Sequence, residues 1–563
     1  MPGFITRLIE RLKNLSLSPR TVDYLLLLGA ILVAAGVKTW LVGSGVVPFN
    51  SDEAVVALMA RHILAGERPI FFYGQVYMGS LDAWLVAVGF RLFGEGIWVI
   101  RLVQGLLYLA LQVSTVKVGE LALGSRRIGV VGAWLLAAPS VIVTLYTTVS
   151  LGGYGEALLL GNLMLITNLL VAKDVQESKP PRWWLWLVWG FLAGLGLWVF
   201  GLSLVFSIPT GLMLLWCIWI LGQNAPRSQK LLTWGRWGGL TVAGGLLGAL
   251  PWWIFALQNG MQELLAELGG SAIVGVDQAH WLLRVGQHLS SLLIFGGTAA
   301  FGLRPSWELR WLALPLLPLA LAFWMGVLAY IGWRLRPGRS DRLGPWLLVG
   351  VLVTLALGFI FTPFGADPSG RYFMPWVVPL SLFAAEMVIT LRKRYGPWIR
   401  LLVIMIICYN VWGMIQCAKT YPPGLTTQFN PVAQVDHSHM DSLMVFLREK
   451  GETRGYSNYW VTYPLAFHSN EELIFIPRLP YHTDFRYTDR DDRYPPYQEL
   501  VADATRVAYI TTNNQPLDEY LREQFTTLRM TWNETYIGDY HLFYDLSRLI
   551  RPGEISLGET TVP

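Results

Sequence analysis

Along most of the chain, apolar residues gather in long runs broken by short polar stretches. Runs long enough to cross a hydrocarbon core fall at about 22–42, 97–121, 128–147, 155–172, 183–200, 202–221, 237–257, 311–333, 345–362, 372–391 and 398–417. They predict about eleven transmembrane helices. Two further apolar pieces, "YMGSLDAWLVAVGFRLFG" (77–94) and "LSSLLIFGGTAAFGL" (289–303), read as interfacial or re-entrant helices. Counting both as spans gives about thirteen and reverses the side of the loops up to residue 303.

Beyond Cys417 the long runs cease. "MDSLMVFLREKG" and "PLDEYLREQF" carry helical periodicity, whereas "ELIFIP", "RVAYITT" and "YHLFYDL" read as short strands. Strands alternating with helices predict a small α/β domain over 418–563. The expected organisation is a segment 1–21, a helical membrane domain 22–417 with a long first loop at 43–96, and this α/β domain.

Composition agrees with that pattern. Of 563 residues, 53% are hydrophobic and 14% charged, where a soluble domain carries about 25% charged residues. The net charge of +5 is modest and its basic residues are scattered among short loops, which gives no footprint for nucleic acid. Three cysteines in or beside apolar runs do not suggest a disulfide framework. The basic clusters do fix an orientation. Arg7, Arg11, Lys13 and Arg20, then "GSRRIG", "KPPR", "APRSQK", "RLRPGRSDR" and "LRKRYG", all fall on one side if there are eleven spans. The positive-inside rule makes that side cytoplasmic. The expected localisation is therefore a multi-pass cell-membrane protein with its amino terminus cytoplasmic and its first loop and carboxyl-terminal domain outside.

Three ionisable features then stand out at outer span ends. "NSDEA" places Asp52 and Glu53 just after the first span. It also resembles a helix start, with Asn50 or Ser51 capping and Glu53 closing a capping box. A carboxylate at that boundary can equally accept a proton from an attacking hydroxyl. Glu156 lies at the mouth of the fourth span in "SLGGYGEALLL", either in a helix entrance or among oxygen ligands for a divalent ion. Arg371, in "FTPFGADPSGRYFMPWVVPL", sits on the side where arginine is less expected. Its guanidinium suits phosphate, although a snorkelling arginine is the plainer reading.

Together these residues resemble the GT-C membrane glycosyltransferases, in the branch of the protein O-mannosyltransferases and the aminoarabinose transferase acting on lipid A. The resemblance covers roughly residues 20–417. It implies an inverting transfer of a sugar from a polyprenyl-phosphate donor to an acceptor hydroxyl (or amide) on the outer face. It assigns Asp52 as catalytic base, Glu53 to the same site, Arg371 with Tyr372 to the donor phosphate, and Glu156 to a second acid position. A lysine or glutamate of some members has no match in "FFYGQVYMGSLDAWL". Gln75 stands near that place, with Tyr73, Tyr77 and Asp82 as further loop candidates. A metal-binding histidine of some members finds only His280 or His288, so Mg or Mn is an open expectation. The implied partners are the bilayer, the lipid-linked donor and a glycan, lipid or protein acceptor.

The competing readings are a transporter or lipid flippase, and a non-catalytic scaffold. A transporter predicts charges near the bilayer midplane and paired repeats. The conspicuous acids here lie at span ends, and the sequence shows no repeat.

Overall fold

Long apolar runs have one way to satisfy their backbone in lipid, which is helix. In a computed structural model describing residues 18–266, 280–337, 343–367, 369–482 and 484–558, eight helices are long and apolar enough to span. They are Pro19–Ser44, Ile97–Leu123, Tyr154–Gln176, Gly201–Asn224, Leu317–Arg334, Leu343–Phe361, Arg371–Tyr395 and Pro397–Ala418. A ninth forms if Arg227–Gly248 and Leu250–Asn259, bent by 61°, count as one. The protein is thus a multi-pass membrane protein.

Of the remaining two expected spans, one is short and one is broken. Trp183–Val199 is apolar but only 17 residues long. It packs tightly on Lys230–Gly248, because a Cβ on Gly190 would come within 2.0 Å of the Thr241 carbonyl. Small residues permit such close backbone approach. Residues 128–147 form two helices, Arg126–Leu135 and Val141–Tyr146, interrupted around Pro139. Side chains of neighbouring helices satisfy carbonyls at the break. Tyr108 donates to Leu136 O at 2.5 Å and Asn410 to Ala138 O at 2.8 Å. Broken helix at membrane depth survives when it is buried in protein like this.

The two apolar pieces held apart from the spans are helical in part. In the first, a short β1–β2 hairpin (Phe71–Phe72, Gln75–Gly79) leads into Leu81–Phe93, whose 13 residues are too few to span. In the second, helical structure runs from Trp281 to Ala300 through a π-helical turn at Ser291–Gly296.

The carboxyl-terminal domain holds a five-stranded sheet of order β4-β3-β5-β7-β6. Its strands are β3 (Arg454–Ser457), β4 (Ile474–Pro477), β5 (Ala508–Thr512), β6 (Asn533–Ile537) and β7 (Tyr540–Tyr544). The first three in that order pair in parallel and the last two join antiparallel. Leu443, Leu447, Phe475, Ile510 and Leu542 fill part of its core. The strands and helices expected from "ELIFIP", "RVAYITT", "YHLFYDL", "MDSLMVFLREKG" and "PLDEYLREQF" all form.

This domain docks on the first loop. Helix Tyr459–His468 packs against helix Ser51–Ala65. At its end, Glu471 takes His62 at 2.9 Å, Arg61 at 3.4 Å and the Tyr497 hydroxyl at 2.7 Å. Burial alone would push the Glu471 carboxyl up, but these donors and the Arg61 charge hold it down near about 2. Tyr73 belongs to the same junction, bonded to His62 at 3.0 Å and to Glu67 at 2.5 Å.

Candidate active site

The adjacent acids have opposite surroundings. Asn50 caps the helix, its side-chain oxygen accepting from the Glu53 amide at 3.1 Å while its amide group donates to Thr427 at 3.0 Å. Capping therefore falls to Asn50. Glu53 does not reach back to close a capping box; it is 0% exposed and meets Arg101 bidentately at 3.1 and 2.9 Å. Burial pushes its carboxyl up, against the opposing Arg101 charge. Asp52 is half-buried and turns the other way. The Tyr459 hydroxyl, from the carboxyl-terminal domain, donates to its Oδ1 at 2.6 Å. Ser51 Oγ donates to the Tyr459 carbonyl, tying the helix start to the same residue.

Arg371 begins the turn that leads into the long helix ending at Tyr395. It pairs with Asp367 at 2.6 Å, donates to the Tyr372 hydroxyl at 3.3 Å and lies over the Tyr372 ring at 5.0 Å. Arg371 and Asp52 both lie within electrostatic reach of Tyr146. Arg371 also acts on Tyr154.

A cavity of about 360 Å³ opens beside Tyr372, between Gly201–Asn224 and Leu343–Phe361. Tyr77 and Tyr372 line its polar end, and Leu202, Val205, Leu355 and Phe359 line its apolar length. That shape offers an acyl or prenyl chain an apolar channel ending in hydroxyl groups.

The carboxyl-terminal domain closes the site with residues that sequence patterns did not single out. Arg493 lies 5.3 Å over the Tyr459 ring, and Asp52, Tyr77 and Asp491 all act on it electrostatically. Asp491 is buried; desolvation, aided by Asp52 and opposed by Arg493, pushes it up to about 7. In the sequence these residues sit within "RYTDRDDRYPPY", a run indistinguishable from a solvated loop. Density of aromatic residues among charges is its only signal.

The other candidates lie elsewhere. Asp82 is buried below the loop, accepting from Gln104 at 2.9 Å, Ser150 at 2.5 Å and the Gly152 amide at 3.2 Å, and its carboxyl is pushed up by burial. Glu156 faces Asp82 in the first turn of its helix. His280 is exposed just before Trp281, and His288 is buried against the Ile360 carbonyl at 3.0 Å. Among the described residues no group of three His, Cys, Asp or Glu side chains gathers to hold a metal ion. Glu156 and His280 thus do not fit a metal centre with a third such ligand.

No protein-family model matches the chain, and comparison with curated proteins finds no match. Solved structures do match. ArnT from Cupriavidus metallidurans bound to undecaprenyl phosphate aligns with TM-score 0.54 and 13% identity, over 94% of this chain and 99% of that one. ArnT from the same organism in the apo state aligns with TM-score 0.56 and 14% identity, over 93% and 98%. At such identities the likeness is one of architecture, and at that level the chain has a GT-C-like membrane fold with a carboxyl-terminal strand-containing domain.

Proposed function

We propose that this protein is an inverting glycosyltransferase that moves a sugar from a polyprenyl-phosphate donor to an acceptor hydroxyl or amide at the extracytoplasmic face. What supports the reading is an apolar cavity between two spanning helices that is lined by Tyr372, the neighbour and hydrogen-bond partner of Arg371, together with Asp52 and Arg371 both lying within electrostatic reach of Tyr146. The cavity takes the prenyl chain, and Tyr372 and Arg371 meet its phosphate. ArnT, of similar fold, has been captured with undecaprenyl phosphate.

The chemistry follows from the charges. The acceptor's hydroxyl oxygen (or amide nitrogen) attacks the anomeric carbon on the face opposite the phosphate, forming the new C–O (or C–N) bond as the carbon–phosphate-oxygen bond breaks. Asp52 takes the acceptor's proton, its carboxylate oriented by the Tyr459 hydroxyl. The electron pair of the broken bond goes to the phosphate oxygen, where Arg371 stabilises the growing negative charge. A phosphate leaves as a stable anion without protonation, and one displacement inverts the carbon. Glu53, locked to Arg101, acts as a positioning residue that fixes the helix carrying Asp52.

The test is transfer by purified protein in lipid nanodiscs, offered undecaprenyl-phosphate-linked hexose and pentose donors. Asp52→Asn is expected to lower turnover by about 10²–10⁴ while leaving expression and unfolding temperature intact, the usual worth of a general base. Near-normal turnover in that variant removes the proposed base.

A further inference from the structure

We propose that Arg493 is a second phosphate-binding residue, supplied to the membrane site by the carboxyl-terminal domain. The inference deepens the glycosyltransferase reading and rests on it. It starts from an oddity of charge. Arg493 is 6% exposed, yet among the described residues it forms no ion pair, although Asp52 and Asp491 lie within electrostatic reach. A guanidinium kept only to neutralise those acids would be expected to bond to one of them.

Its bonds go to a neutral group instead. The donors around Gln75 orient its carboxamide so that the oxygen accepts from both Nη atoms of Arg493, at 2.6 and 2.7 Å, and from the Tyr77 hydroxyl at 3.2 Å. Among the described residues the Nε of Arg493 has no hydrogen-bond partner. An amide oxygen positions a guanidinium without discharging it, so the positive charge remains available to an anion.

The first loop is shaped for this contact. Gly74, in the turn between β1 and β2, has φ +66°, and a Cβ there would stand 3.0 Å from Arg493 Cδ and 3.2 Å from its Cα. The hairpin therefore closes directly on the arginine. Tyr77 then connects the two halves of the site. It bonds to Gln75, acts on both Arg493 and Tyr372, and lines the polar end of the cavity. A lipid phosphate reaching that end meets Arg371 on the membrane side and Arg493 on the domain side. Gln75 is the residue that presents the second charge.

Binding of undecaprenyl phosphate to the full-length protein in nanodiscs tests this, with undecaprenol as the uncharged probe. Arg493→Gln is expected to weaken phosphate-lipid binding about tenfold, as loss of a charge-assisted hydrogen bond predicts, and to leave undecaprenol binding unchanged. Arg493→Lys, which keeps the charge but loses the fork, should fall between, and supplies the reading if the glutamine variant does not fold. Unchanged phosphate-lipid binding in both variants overturns the clamp alone. Equal weakening toward both lipids also overturns it, since that marks a structural arginine. A wild-type protein that binds the phosphate no better than the alcohol overturns the glycosyltransferase reading and the clamp with it.

Discussion

The site has two walls of different origin. The membrane-side wall carries Arg371, Tyr372 and the apolar cavity, and its residues sit at or within spanning helices. The domain-side wall carries Tyr459, Asp491 and Arg493, brought there by docking of a separate folded layer. Asp52 lies on a loop helix that packs against the domain helix Tyr459–His468. On the proposed reading the membrane wall holds the donor, while the domain wall orients the base through the Tyr459 hydroxyl. Transfer on that reading needs both walls, and the docking junction around Glu471 holds the domain against the first loop.

The largest effect is expected at the scaffold both walls share. Arg101→Leu strands Glu53, 0% exposed, without its bidentate partner. Removing one member of a buried pair costs about 3–5 kcal/mol, so the unfolding temperature of the variant in detergent should fall sharply. An unchanged unfolding temperature would mean that the pair does not hold the helix bearing Asp52.

A smaller change isolates the domain wall. Tyr459→Phe removes the hydroxyl on Asp52 Oδ1 while keeping the ring that packs under Arg493. Turnover should drop about fivefold with donor binding unaltered, matching roughly 1 kcal/mol for one hydrogen bond. A loss confined to donor binding would move Tyr459 to the other wall.

The walls also differ in how far sequence reveals them. Arg371 and Asp52 stand out in the sequence as candidates because an ionisable group ending an apolar run is conspicuous against lipid. Eight of the expected spans form as helices long enough to cross a membrane, because their apolar runs are uninterrupted. The break near Pro139 was not legible, since "LLAAPSVIV" stays apolar throughout and its relief comes from Tyr108 and Asn410, distant in sequence. Asn50 and Ser51 were equal candidates for the cap until Thr427 fixed the Asn50 side chain. Gln75 looked like a missing charge in the first loop, and its meaning lies in a contact with residue 493. Periodicity reports local burial; it carries no information about which loop a remote domain will cover.

A cryo-EM structure with undecaprenyl phosphate in nanodiscs tests the central claim most directly. Phosphate density is expected between the Asp52 carboxylate and the Arg371 guanidinium, with the prenyl chain entering between Gly201–Asn224 and Leu343–Phe361. A lipid phosphate bound at the opposite end of those helices would contradict it.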